Sequence, residues 1–190
     1  RGDSRRGIEI ITREAGRLTK MVEELLEFTR IQDGRFTLHV STVELPALVE
    51  DCLYTYNELF RHEDLAVTYV SPEEDLPEIP GDPERLSQVF LNILDNACKC
   101  GKNGKKIDVN ITHDDATVSV FIRDYGPGIP PAELPQVKKK FFKGSSKERG
   151  SGIGLAVCDG IVTRHNGTLD IANVAGGGVR VTVTLPRKAS

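Results

Sequence analysis

Residues 85–100 read R-L-S-Q-V-F-L-N-I-L-D-N-A-C-K-C, and the fold turns on how this run is read. Leu86, Val89, Phe90, Ile93, Leu94 and Ala97 recur at a period near 3.6, which predicts a helix with one broad buried face. Beside that face Asn92, Asn96 and Lys99 recur at i, i+4 and i+7 as a narrow polar stripe. Helix interiors disfavour asparagine, and a half-buried amide without a partner costs roughly a few kcal/mol. Two amides and an ammonium in a row on a core helix imply a polar group that meets them.

Upstream of the helix, S-P-E-E-D-L-P-E-I-P-G-D-P-E (71–84) holds four prolines and is expected to be loop. It delivers Asp82 as N-cap and Pro83 as the first helical residue. Before it, Leu45–Arg61 reads as helix and Leu65–Val70 as a short strand. Phe36, Leu38 and Val40 alternate with polar residues, so a strand is expected there too. The segment from Ile8 to Gly34 is the most regular of all. Ile8, Ile11, Ala15, Leu18, Val22 and Leu25 make a heptad seam, and Met21, Leu26 and Phe28 widen it to a face suited to a bundle. Gly34 is the expected helix stop. The opening R-G-D-S-R-R carries no readable pattern.

Downstream, residues 105–113 and 116–124 are alternating strands joined by a short turn, a hairpin. A helix over 153–164 and two closing strands, 168–174 and 179–186, complete the chain. Helices and strands mix without regular alternation, which predicts an α+β fold, one mixed sheet with helices on one face. The stretch 125–151 is rich in Gly, Pro, Lys and Ser, and a loop of that length is usually functional. Two glycine clusters flank it: D-Y-G-P-G-I (124–129) after a strand, and G-S-G-I-G-L (150–155) before a helix. The second offers backbone N–H groups at a helix N-terminus, where anions bind. Neither fits the dinucleotide fingerprint or the G-x-x-x-x-G-K-[ST] phosphate loop.

Among 190 residues the net charge is −3, so the chain is not a nucleic-acid binder by charge. No apolar run approaches the roughly 20 residues that span a bilayer, and no signal peptide opens the sequence. Four cysteines sit in predicted helices, and Cys98 and Cys100 lie about 200° apart around theirs. They are read as reduced thiols rather than as a disulfide or metal set.

Taken in order, the asparagine-bearing helix, D-Y-G-P-G-I, the basic loop and G-S-G-I-G-L resemble the catalytic and ATP-binding domain of sensor histidine kinases. That domain belongs to the GHKL superfamily, which also contains gyrase and MutL. L-N-I-L-D-N-A-C-K matches the N box, K-F-F-K-G (140–144) the F box, and the resemblance covers residues 35–186. It implies the two-layer GHKL sandwich for residues 35–190. The first helix, residues 1–34, resembles the second helix of the dimerisation and phosphoacceptor domain, which in the family forms a four-helix dimer bundle.

The resemblance also implies roles. Asn96 would ligate Mg²⁺, Asn92 would sit beside the metal–phosphate group, and Lys99 would meet phosphate charge. Asp124 would accept a hydrogen bond from the adenine amino group, with Gly126, Gly128 and Ile129 bending around the base. Gly150, Ser151, Gly152, Ile153, Gly154 and Leu155 would form the lid edge near the phosphates, and Lys143 would reach the γ-phosphate. The catalytic set would be Asn92, Lys99 and Lys143, the cofactors ATP and Mg²⁺. Lys138, Lys139 and Lys140 read as a solvated loop face.

Three departures stand out. Cys100 replaces an aromatic residue after the N box, Lys138 replaces the first F-box phenylalanine, and Val179 and Arg180 replace small hydroxyl residues after the last glycine box. No histidine has the phosphoacceptor context: none of His39, His62, His113 and His165 lies in a stretch like the S-H-E-x-R-T-P of the family. The implied function is the catalytic part of a protein-histidine kinase whose acceptor histidine lies on a helix outside these residues. Its implied partners are that helix, a response regulator and a second copy of the parent chain. Its implied place is the cytoplasmic side of a bacterial membrane-anchored sensor. A GHKL hydrolase would use a glutamate in the N box, where position 92 is asparagine; a nucleotide-sensing dimerisation module is the non-catalytic alternative.

Overall fold

The computed structural model describes residues 2–60, 65–101, 105–137 and 154–189. The chain opens with α1 (Gly2–Gln32), helical even through the patternless first residues. Gly34 ends it, with φ +70°; the Arg35 N–H reaches back to the Arg30 carbonyl at 3.0 Å and the Gly34 N–H to that of Ile31 at 3.3 Å. β1 (Ser41–Val43), α2 (Leu45–Phe60), β2 (Ala66–Val70), β3 (Ile79–Gly81) and α3 (Pro83–Gly101) follow. Then come β4 (Lys106–His113), β5 (Thr117–Asp124), a 3₁₀ turn (Leu134–Gln136), α4 (Gly154–Arg164), β6 (Thr168–Asn173) and β7 (Val179–Pro186).

Five strands make one mixed sheet in the order β2-β4-β5-β7-β6, with β2 and β4 parallel and every other pair antiparallel. Strict alternation divides its faces. Ile107, Val109, Val118, Val120, Val183 and Leu185 are buried beneath the helices, whereas Asn110, Ser119, Thr182 and Thr184 occupy the other face. α3 meets the buried face with Leu86, Val89, Phe90, Ile93 and Leu94, each at most 1% exposed. α4 adds Val157, Ile161 and Val162. The β4–β5 turn is closed by Asp114, whose Oδ1 accepts the Ala116 and Thr117 N–H groups at 2.8 and 2.7 Å.

Two expectations need correction. The alternation at Phe36, Leu38 and Val40 does not make a strand; regular structure begins only at Ser41. Phe36 is buried there for another reason, beneath the Arg85 guanidinium, which stands 4.6 Å from its ring centroid. The proline-rich loop, conversely, contains β3, which pairs with β1 through Thr42 and Pro80. Proline is tolerated because this ladder has two strands only, so its missing N–H breaks no central pairing.

The start of α3 is built as its residues predict. Asp82 Oδ1 accepts the Arg85 N–H at 3.2 Å and Oδ2 the His39 N–H at 2.9 Å. Behind it His165, buried at the end of α4, accepts the Asp82 N–H on Nε2 at 3.0 Å and donates Nδ1–H to the Ile161 carbonyl at 2.8 Å. This histidine is a structural bridge between the ends of two helices.

Candidate functional site

Where β5 runs out, Asp124 turns its carboxylate inward and is only 4% exposed. Oδ1 accepts two backbone N–H groups, Gly126 at 3.0 Å and Val179 at 3.2 Å. The second bond exists because β7 starts so close: Gly178 has φ +90°, and a Cβ there would stand 2.0 Å from the Asp124 carbonyl oxygen. Only glycine fits. Above the carboxylate lies a slot with apolar walls from Ala97 on α3, Ile122 on β5, Ile171 on β6, and Val179 and Val181 on β7. Gly128, Ile129 and Leu155 close it, and Asn96 stands at its rim. An apolar slot with one buried acceptor suits an apolar ring carrying an amino group.

The polar stripe of α3 divides between two surroundings. Asn96 faces the slot, but Asn92 faces a cleft of about 390 Å³ between α1 and α3, shared with Lys20, Glu23, Glu24 and Glu27. Asn92 also bonds the Cys158 thiol, which burial pushes up to about 12 against the lowering effect of that bond. Lys99 pairs with Asp95 at 3.0 Å, and Asp95 also receives Lys20 of α1 at 3.3 Å. Asn96, Asp124, Gly128, Ile129 and Leu155 are therefore brought together, while Asn92 lines the cleft beside α1 and Lys99 is held by Asp95. Gly126 holds Asp124 from the side, and Gly154 opens α4 with the Glu24 carboxylate 3.7 Å from where its Cβ would be. Lys138, Lys139, Lys140, Lys143, Gly150, Ser151, Gly152, Ile153 and His62 lie outside the described residues.

The replaced hydroxyl residues resolve cleanly. Val179 meets Asp124 through its backbone, so the carboxylate keeps a donor there without a hydroxyl. Arg180 turns to the other face of the sheet, 5.8 Å over the Phe121 ring. Sequence reasoning missed two participants, Gly178 and Asn173. The run of three glycines, 176–178, was a visible signal for the first. Nothing marked Asn173, whose amide bonds both the N–H and the carbonyl of Ile129, at 2.8 and 2.7 Å.

α1 is attached to this end of the molecule. Its Glu27 pairs with Arg85, the Arg164 guanidinium donates to the Ile31 carbonyl at 3.0 Å, and Ile31 fills a notch left by Gly160. The described cysteines Cys52, Cys98 and Cys158 are all buried, and no disulfide joins them. Among the described residues no helix is long and apolar enough to cross a membrane.

Residues 81–189 match the family model of histidine kinase-, DNA gyrase B- and HSP90-like ATPases. The sensor histidine kinase ZraS of Escherichia coli is 32% identical over 97% of this chain and 39% of its own length. The histidine-protein kinase BaeS of the same species is 32% identical over 91% of this chain and 38% of its own. The chain thus spans about two-fifths of the curated relatives it matches. Full-length ShkA, solved in complex with AMPPNP, superposes with TM-score 0.81 over 97% of this chain and 39% of that one, at 22% identity. The mycobacterial sensor histidine kinase MprB superposes with TM-score 0.67 over 79% of this chain and all of that one, at 28% identity.

Proposed function

We propose that this chain, which belongs to the family of histidine kinase-, DNA gyrase B- and HSP90-like ATPases, is the catalytic ATP-binding portion of a sensor protein-histidine kinase. The observation that carries the reading is the buried Asp124 carboxylate, fixed by two backbone N–H groups at the end of an apolar slot. Adenine presents an amino group to such an acceptor, and guanine presents a carbonyl oxygen there. Residues 35–190 would form the nucleotide domain, and residues 1–34 the second helix of a dimerisation hairpin.

In this reading the base enters the slot and the phosphates lie across Asn96, Asn92, Lys99 and the start of α4. The amide oxygen of Asn96 suits Mg²⁺, which takes oxygen ligands, few of them from protein and the rest from phosphates and water. Bound there, the ion would neutralise phosphate charge. Lys99, Lys143 and the glycines from Gly150 to Gly154 would hold the phosphates. The γ-phosphoryl passes to an imidazole nitrogen of a histidine outside this chain; the P–O bond to ADP breaks as the P–N bond forms. Positioning and charge stabilisation supply most of the catalysis. A response regulator would take the phosphoryl in turn. The exposed apolar stripe of α1 fits a homodimeric bundle in the parent protein, on the cytoplasmic side of a membrane-anchored sensor.

The test is incubation with γ-labelled ATP, with and without a domain carrying the first hairpin helix, beside titrations with ATP and GTP. ATP should bind, GTP should bind far more weakly, and label should move only to the added helix. Equal binding of the two nucleotides, or labelling of a histidine within this chain, overturns the reading.

A further inference from the structure

Asn173 is the last residue of β6, and β6 is the edge of the sheet. Its side chain reaches beyond the edge. Oδ1 accepts the Ile129 N–H at 2.8 Å, and Nδ2 donates to the Ile129 carbonyl at 2.7 Å. One carboxamide thus grips the backbone of one residue by both its donor and its acceptor, as a neighbouring strand would. A single bond leaves a peptide free to pivot; a donor–acceptor pair fixes its tilt as well as its position. Gly128 allows the grip: its φ is +83°, and a Cβ would stand 3.0 Å from Asn173 Oδ1.

The rung to which Asn173 belongs does a second job. Asn173 lies opposite Val179 in the β6–β7 ladder, and Val179 donates its N–H to Asp124. The same cross-strand pair therefore sets two parts of the slot: Val179 its polar end, Asn173 the apolar wall made by Ile129. Ile129 itself is 7% exposed and lines the slot with Asn96 and Asp124.

We infer that Asn173 is a positioning residue for the base, holding Ile129 against the ring through the Ile129 backbone N–H and carbonyl; this rests on the reading of the slot as an adenine-nucleotide site. It touches neither ring nor phosphate. Because Ile129 lines the base slot, losing the grip lowers affinity for ADP and ATP by the same factor, with or without Mg²⁺. A residue that merely finished the sheet edge would change unfolding and leave the affinity of the folded protein alone.

Two variants separate these cases. Asn173→Ala removes both bonds. Asn173→Asp keeps an acceptor for the Ile129 N–H but sets a carboxylate against the Ile129 carbonyl; once protonated, the carboxyl offers donor and acceptor together, as the amide does. The experiment is calorimetric titration of ADP and ATP, with and without Mg²⁺, from about pH 8 down to about pH 5.5, with thermal unfolding and hydrogen exchange at the Ile129 amide. Expected for Asn173→Ala is roughly 5- to 30-fold weaker binding of both nucleotides, a near-normal unfolding midpoint and faster Ile129 exchange. Expected for Asn173→Asp is a deficit at high pH that shrinks, relative to wild type, as pH falls.

Unchanged affinity in Asn173→Ala overturns the inference, as does a loss confined to ATP, which would place the effect at the phosphates. Loss of fold in both variants overturns it too, since Asn173 would then hold the sheet edge and not the base. Should the wild type bind neither nucleotide, the adenine reading fails instead, and Ile129 exchange in Asn173→Ala still decides whether the grip exists.

Discussion

α1 and α3 look alike as sequence, each an amphipathic helix with a clear apolar stripe, yet they end in opposite circumstances. α3 buries Leu86, Val89, Phe90, Ile93 and Leu94 to 1% exposure or less. α1, with 31 residues, buries only Ile31 and leaves Ile8, Ile11, Leu18 and Val22 more than half exposed. The difference teaches what periodicity can state. It gives the direction of an apolar face, and says nothing of whether the same chain supplies the cover. α3 finds a sheet in its own chain. α1 finds a foothold at its C-terminal end, through Ile31, Glu27 and Lys20, and the rest of its stripe awaits other cover.

The sharpest break of this contrast is made beside α3, at the slot. Gly178→Ala would drive a methyl to 2.0 Å from the Asp124 carbonyl oxygen and 2.9 Å from the Tyr125 Cα, at a φ of +90°. These neighbours are backbone, which cannot rotate aside. A loss of about 3–5 kcal/mol is expected, combining overpacking with backbone strain. Urea unfolding measures it; a change below about 1 kcal/mol would mean that β7 and the end of β5 slide apart freely.

A smaller break concerns acid and the foot of α3. Burial works to raise the Asp82 carboxyl, but the N–H groups of His39, Arg85 and Glu84 and the Arg85 charge outweigh it, and the group is held below the ordinary carboxylate range. The sign follows. A depressed carboxyl contributes stability that is whole above its unfolded value of about 4 and lost as pH falls through the lower, folded one. Asp82→Asn should therefore lower stability at neutral pH and flatten its acid dependence in that window. An acid limb as steep as that of wild type would assign it to other groups.

How far the residues announced this molecule depends on the range of the interaction. α3 with its cap, the β4–β5 hairpin and the closing strands were legible because period, cap and turn are local signals. β3 was hidden because three residues beside prolines pair only when β1 is folded against them. Phe36 misled because its burial comes from Arg85, distant in sequence, and not from a strand's alternation. In the slot, Asp124, Asn96 and the first glycine cluster were legible by resemblance. Asn173 was not, since its role is a side chain's grip on a peptide more than forty residues away, set by the sheet edge.

The smallest expected effect tests α1 against Gly178 with the same substitution. Gly16 lies in the interior of α1, and a Cβ there would meet nothing within 4 Å. Glycine inside a helix costs about 0.5–1 kcal/mol relative to alanine, through the greater freedom it surrenders on folding. Gly16→Ala should therefore stabilise α1 by about that amount, the opposite sign from Gly178→Ala. Since the sheet is untouched, its unfolding midpoint should hold, and amides around residue 16 should exchange roughly two- to fivefold more slowly. A loss of helix protection or of self-association in Gly16→Ala would mean that another helix already approaches α1 closely at Gly16. The stripe would then be covered by packing that needs glycine's missing side chain, and α1 would resemble α3 after all.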